Sequence, residues 1–237
     1  MKEYAILLDT TYCTGCNTCA YRCVQEFRYH DQASKGLFRT FVTTNDEGLY
    51  QKRCMHCFAP ECVKACPASA LTKSPYGPVL FDKDKCVGAK ACVDACPFNH
   101  IPQFDPVTQK IVKCSMCAHR VTEGKQPACV EVCPTGALQF GTYQEMKTLA
   151  KDLAKKNKLQ IYGADENGGT HLFILTKGSA VAMGYAKVAK KPLKVKTSSM
   201  EASLALTGVA ALAYAGFKKL SDRKSQVEAE KRKEPQE

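Results

Sequence analysis

Fifteen of the 237 residues are cysteines, and their spacing is what could do chemistry. The stretch over residues 54–97 is the most telling. Cys54, Cys57, Cys62 and Cys66 read C-x2-C-x4-C-x3-C and are followed by Pro67. Cys86, Cys92 and Cys96 read C-x5-C-x3-C and are followed by Pro97. Upstream lies an unbroken C-x2-C-x2-C-x3-C of Cys13, Cys16, Cys19 and Cys23. Downstream lie Cys114, Cys117, Cys129 and Cys133, spaced C-x2-C-x11-C-x3-C and followed by Pro134. Three closely spaced thiolates can wrap one metal cluster from a tight loop, and a fourth, starting a helix, points away from it. The odd total and the short spacings argue against a disulfide scaffold. Structural zinc is the minor alternative, because zinc sites take pairs of C-x2-C from separate knuckles. Iron–sulfur ligation is the reading of these residues. One group is short by one: where a cysteine is expected between Cys86 and Cys92, the chain has Ala89.

The elements that must position these thiols follow from the intervening residues. Residues 2–9 read as a short strand leading into the first loop. Gly15 sits inside that loop, where a cluster-wrapping turn needs positive φ. Val24, instead of proline, lets the helix from Cys19 continue through Glu26. Residues 37–43 read as a strand, and 45–48 as a turn. Pro75, Gly77 and Pro78 precede a strand over 79–81, and a second spacer ends in a strand over 110–113. The long gap over 118–128 reads as an exposed loop able to touch a partner. A closing strand over 137–140 is followed by an amphipathic helix over 143–156, with Met146, Leu149, Ala150 and Leu153 at helical spacing. Gly168, Gly169, Thr170 and His171 turn into a strand over 172–176.

Bacterial ferredoxins use C-x2-C-x2-C-x3-C-P, and the last cysteine of each run serves the other cluster of a pair. The four runs are internal repeats. They imply an α+β fold of two pseudo-symmetric ferredoxin-like halves. Groups 54–66 and 86–96 pair as an inserted inner half over 51–103. Groups 13–23 and 114–133 pair as an outer half, residues 1–50 and 104–178. A linker over 179–197, a helix over 198–218 and a charged tail over 219–237 complete the chain.

The formal net charge of +11 invites a nucleic-acid reading. Four thiolate-bound clusters of roughly −2 each would reduce it to about +3. Many of the basic residues lie beyond position 186, in a solvated or membrane-proximal segment. No nucleic-acid partner is therefore expected. Residues 202–217 carry no charge but are shorter than the about 20 apolar residues a spanning helix needs. Composition alone leaves both a spanning helix and a helix docked on a partner. The small residues Ala205, Gly208, Ala211 and Ala215 suit close packing against other membrane helices.

The four-group layout resembles the iron–sulfur subunits of molybdopterin oxidoreductases: formate dehydrogenase, nitrate reductase, dimethyl sulfoxide reductase and polysulfide reductase. The resemblance covers roughly residues 4–140. Cys54-Met55-His56-Cys57, Lys113-Cys114-Ser115-Met116-Cys117 and the Gly168–His171 turn are most similar to membrane-bound formate dehydrogenase. The resemblance implies an electron-transfer subunit, not catalytic alone. It would stand between a large molybdopterin (molybdenum or tungsten) catalytic subunit and a membrane cytochrome b or quinone-binding subunit. It also implies that the C-terminal helix crosses the inner (cytoplasmic) membrane, with the body periplasmic and the tail cytoplasmic.

Carried over residue by residue, the resemblance gives four ligand sets. Cys13, Cys16, Cys19 and Cys133 hold the 4Fe-4S cluster nearest the catalytic subunit. Cys23, Cys114, Cys117 and Cys129 hold the second, and Cys54, Cys57, Cys62 and Cys96 the third, both 4Fe-4S. Cys66, Cys86 and Cys92 hold the fourth. There Ala89 departs from the formate dehydrogenase pattern and matches nitrate reductase, which implies a 3Fe-4S cluster. A fourth 4Fe-4S cluster with a non-cysteine ligand, for which Lys90 and Asp94 are nearest in sequence, is the alternative. The histidines His30, His56, His100, His119 and His171 are scattered, and only His56 and His119 stand near cluster cysteines. Three other functions compete: the iron–sulfur subunit of a nitrate, dimethyl sulfoxide or polysulfide reductase-type complex, a free-standing polyferredoxin, and a zinc-stabilised interaction module.

Overall fold

Alternating apolar residues in the first strand decide the architecture. The computed structural model describes residues 2–99 and 101–191. In order the elements are β1 (Tyr4–Asp9), α1 (Thr18–Phe27), α2 (His30–Ser34), β2 (Thr40–Asn45) and β3 (Gly48–Arg53). Then come α3 (Glu61–Lys64), β4 (Leu71–Lys73), β5 (Val79–Phe81), α4 (Ala91–Asp94), β6 (Gln103–Asp105) and β7 (Lys110–Val112). α5 (Ala118–Thr122), α6 (Ala128–Glu131), β8 (Leu138–Thr142), α7 (Tyr143–Asn157), β9 (Gln160–Tyr162) and β10 (Leu172–Thr176) follow.

The main sheet has the order β8-β1-β10-β9. β1 runs parallel to β10 and antiparallel to β8, so the two ends of the described chain meet at its centre. Side chains alternate across a strand. Ala5, Leu7, Phe173 and Leu175 face α7, where Tyr143, Met146 and Ala150 close one core. Ile6, Leu8, Leu172 and Ile174 face the other way, into a core shared with Cys19, Cys54, Cys114 and Cys129. The sheet is thus the wall against which the cysteine loops are built. α7 starts where its sequence says it should: Thr142 Oγ1 accepts the Glu145 N–H at 3.3 Å and Glu145 Oε2 accepts the Thr142 N–H at 2.8 Å. This reciprocal cap satisfies two otherwise orphaned donors.

Three small hairpins carry the rest: β2-β3, β4-β5 and β6-β7. The seams expected at 50/51 and 103/104 fall inside β3 and β6. The strand expected over 37–43 begins at Thr40, because the Phe38 N–H is taken by Gln103 Oε1 and the Arg39 N–H by Tyr29 Oη. The first part of the expected linker folds back through a turn. Tyr185 N–H donates to Ala180 O, and Ala180, Met183 and Tyr185 are buried in the cysteine-side core. Among the described residues no helix is long and apolar enough to cross a membrane. The expected helix over 198–218, the tail over 219–237 and the end of the linker lie outside the described residues, as does His100.

Candidate metal centres

Each C-x3-C places two thiols one helical turn apart, on one side of a helix. Cys19 and Cys23 lie on α1, Cys62 on α3, Cys92 on α4 and Cys129 on α6; Cys66, Cys96 and Cys133 follow just past the ends of the last three. Pro67, Pro97 and Pro134 stop those short helices, and α1, which lacks the proline, runs on to Phe27. α1 packs on α6, and α3 on α4. The first cysteine group therefore meets the fourth, and the second meets the third. Gly15 has φ 73°, as the first loop requires. Asn17, also left-handed, ties that loop to β2 by accepting the Val42 N–H and donating to Val42 O.

The thiols gather in sets. Cys13, Cys16, Cys19 and Cys133 line one cavity, together with Asn17 and Gln51. Cys66, Cys86 and Cys92 line another, and Ala89 and Lys90 share its wall. Burial pushes the Cys117 thiol up to about 12, with the charges of Cys114 and Cys129 adding to it. The Cys23 thiol is raised by burial and then by Cys114. Burial likewise pushes Cys57 up to about 12, with Cys54 and Cys96 adding; Cys62 is raised by burial, then by Cys54. All fifteen cysteines are free of disulfides. Among the described residues no three or more His, Cys, Asp or Glu side chains stand close enough to hold a metal ion. The donor chemistry fits iron–sulfur clusters. Buried thiols resist ionisation alone, and a cationic iron core supplies the positive charge that stabilises them as thiolates.

Several polar residues that sequence reasoning missed stand against these thiols. On β3, Gln51 Nε2 donates to Cys19 Sγ at 3.6 Å. Arg53 donates from Nη2 to Cys114 Sγ at 3.5 Å and from Nη1 to Cys129 Sγ at 3.8 Å. Burial opposes the charge on Arg53, but the Cys129 and Cys114 thiolates outweigh that and hold the guanidinium protonated. Lys113 Nζ is buried and donates to Val79 O and Cys114 O, both at 2.6 Å. The one signal in the sequence was the unbroken polar run Gln51-Lys52-Arg53 immediately before Cys54.

The turn over residues 165–171 clamps the third set. Phe58 N–H donates to Gly169 O at 3.1 Å, and His171 N–H to Met55 O at 3.1 Å. Cys57 and Thr170 form an antiparallel bridge. Asn167 is buried and left-handed; its side chain hydrogen-bonds the Cys57 thiolate and donates to Ala59 O at 3.2 Å. Gly163 begins the turn, and a Cβ there would lie 2.1 Å from Leu172 O. The Gly168–His171 motif is thus a brace for the loop of Cys54 and Cys57.

The two histidines nearest the cluster cysteines are structural. His56 Nδ1 accepts the Val79 N–H at 3.0 Å, and its Nε2 is buried without a hydrogen-bond partner. His119 is exposed and pairs with Glu26 at 2.8 Å, away from sulfur. Arg120 folds back from the 118–128 stretch onto Glu26 and Glu131. Lys90 Nζ lies 4.2 Å from the centre of the Phe104 ring, while Asp94 is exposed.

A family profile described as a 4Fe-4S dicluster domain matches residues 47–143. The nitrate-inducible formate dehydrogenase iron-sulfur subunit of Escherichia coli (strain K12) is 33% identical, over 91% of this chain and 81% of its own length. The formate dehydrogenase iron-sulfur subunit of Haemophilus influenzae is 35% identical, over 72% of this chain and 63% of its own. A subunit of the anaerobic dimethyl sulfoxide reductase of Escherichia coli (strain K12) is 35% identical, over 61% of this chain and 80% of its own.

Proposed function

On the premise that this chain belongs to the family of iron–sulfur subunits of formate dehydrogenases and dimethyl sulfoxide reductases, of the molybdopterin oxidoreductase type, we propose that it is the electron-transfer subunit of such a complex, formate dehydrogenase first. It makes no bonds itself. Its catalytic partner is a large molybdopterin subunit, and its other partner a membrane cytochrome b or quinone-binding subunit. The observation that carries the reading is the meeting of distant cysteines: Cys133 with Cys13, Cys16 and Cys19, and Cys66 with Cys86 and Cys92.

The ligand sets are those expected above. Cys13, Cys16, Cys19 and Cys133 hold the first, Cys23, Cys114, Cys117 and Cys129 the second, and Cys54, Cys57, Cys62 and Cys96 the third. Cys66, Cys86 and Cys92 hold the fourth, as a 3Fe-4S cluster beside Ala89. Iron–sulfur clusters supply one-electron storage. The protein's residues fix their order, exclude water with the apolar wall of β1 and β10, and aim donors at the thiolates. The two-half ferredoxin-like organisation is supported by the α1–α6 and α3–α4 pairs. We also propose that residues 198–218 anchor the subunit in the inner membrane, with the body periplasmic. The uncharged run over 202–217 and the basic residues after it support this.

The test is an iron count with low-temperature EPR on the purified complex. About 15 iron atoms per chain and a 3Fe-4S signal in the oxidised sample are expected. Isolation of a colourless chain, or of a lone carrier without large partners, would overturn the reading.

A further inference from the structure

β3 puts the wrong kind of residue inside. Its buried alternate positions are Gln51 and Arg53, 3% and 2% exposed. A buried guanidinium is costly unless counter-charges receive it. Among the described residues no carboxylate pairs with Arg53. Its partners are two sulfurs, Cys114 Sγ and Cys129 Sγ, and its Nε has no hydrogen-bond partner. Two residues back on the same strand, Gln51 reaches Cys19 Sγ. The strand itself is fixed: Arg53 pairs with Thr40 and Gln51 with Val42, and the Gln51 N–H donates to Tyr185 Oη at 3.1 Å. Cys19 belongs to the first ligand set, Cys114 and Cys129 to the second. Cys19 is close enough to Cys129 to feel its charge, and both feel Arg53. The guanidinium therefore stands at the junction of two sets.

We propose that Arg53 is a charge bridge between the first and second iron–sulfur sets, which allows both to hold an electron at the same time. The inference rests on the ligation proposed above. If oxidation of substrate in a catalytic partner released two electrons, clusters held by these two sets would take one each. Two negative charges are thus added side by side, no bond forms or breaks, and no proton has to follow. Arg53 offsets both charges from one position. Its charge persists at every working pH, its forked donors hold two thiols of the second set, and its field reaches Cys19 of the first. Gln51 brings a neutral donor to the first set alone.

The test is an EPR-monitored redox titration of the purified, iron-loaded complex. Arg53→Met is expected to lower the midpoints of both these sets, leaving the other two unmoved. Gln51→Leu is expected to lower only one of those two. Arg53→Lys, which keeps the charge but not the fork, is expected to lower these midpoints less than Arg53→Met. A midpoint of either set unmoved in Arg53→Met with full iron overturns the proposal; should that variant lose iron, an unmoved midpoint of either set in Arg53→Gln does so. Cys114→Ser identifies the second set. If every signal survives that change, the ligation reading has failed. If one signal is lost but is the one indifferent to Arg53, only the charge bridge has failed.

Discussion

Asn167 donates its backbone N–H to Ala189 O at 2.7 Å while its side chain hydrogen-bonds the Cys57 thiolate. One residue thus joins the loop of the third ligand set to the segment by which the chain leaves the cysteine body. Its left-handed backbone, φ 53°, is why asparagine serves here: Asn and Gly tolerate that region and most residues do not. Asn167→Ala removes the side-chain bonds and adds backbone strain. A loss of about 2 kcal/mol is expected, read as a Tm about 4–8 °C lower. Asn167→Gly, which relieves the strain, should recover part of it. Equal Tm values for all three proteins would sink this account of the brace.

The fourth set is open to repair. Ala89 lines the same cavity as Cys66, Cys86 and Cys92. Ala89→Cys should raise the iron count from about 15 to about 16 per chain and abolish the 3Fe-4S signal of the oxidised sample. If the signal persists at full strength, Ala89 is not the missing ligand position.

Stability should fall on mild acidification through His171. Burial pushes its pKa down to about 4, with the Lys73 charge adding. The unfolded chain takes up that proton near 6.5, before the folded one does. The contribution of neutral His171 is therefore complete above about pH 6.5 and lost as pH falls toward 4, by up to about 3 kcal/mol. His171→Gln should flatten that part of the Tm–pH curve, leaving the part that belongs to His56, whose pKa burial also holds low. A slope identical to that of the unmodified protein would rule His171 out.

Glu26 organises the surface beside the first helix. It receives Arg22 at 3.0 Å, Arg120 at 3.3 Å and His119 at 2.8 Å. Exposed pairs singly contribute about 0–1 kcal/mol, so the network matters more than any member. Glu26→Ala should cost about 1 kcal/mol globally but release the 118–128 stretch. Faster proteolysis there, with little change in Tm, is the expected signature; an unchanged cleavage rate would count against it.

Much of this was legible in the sequence because cysteine spacing and helical period are local codes. The C-x3-C runs forecast one helical turn each, Gly15 forecast positive φ, and the strand at Leu172–Thr176 was marked by its turn and its apolar run. What escaped was long-range and polar. Phe38 looked like strand until Gln103 took its N–H. The segment over 179–185 looked like linker because its small residues gave no period, yet Tyr185 is anchored by the Gln51 N–H. Arg120 looked free because its partners lie on other elements. Arg53 and Asn167 carry no motif; only proximity to sulfur gives them meaning.

The central pairing of β1 with β10 has a consequence for the order in which the protein can be made. A ribosome delivers β1 long before β10, so the main sheet closes only after every cysteine group has been made. The first ligand set waits for Cys133, which lies far downstream of Cys13, Cys16 and Cys19. As proposed, the third and fourth sets would draw only on residues 54–96 and close much shorter loops, at a smaller entropic cost. On the proposed ligation, a nascent chain can take iron in its middle while its first cysteines still lack a partner. The middle of the polypeptide is then self-sufficient for its clusters, and its flanks depend on each other.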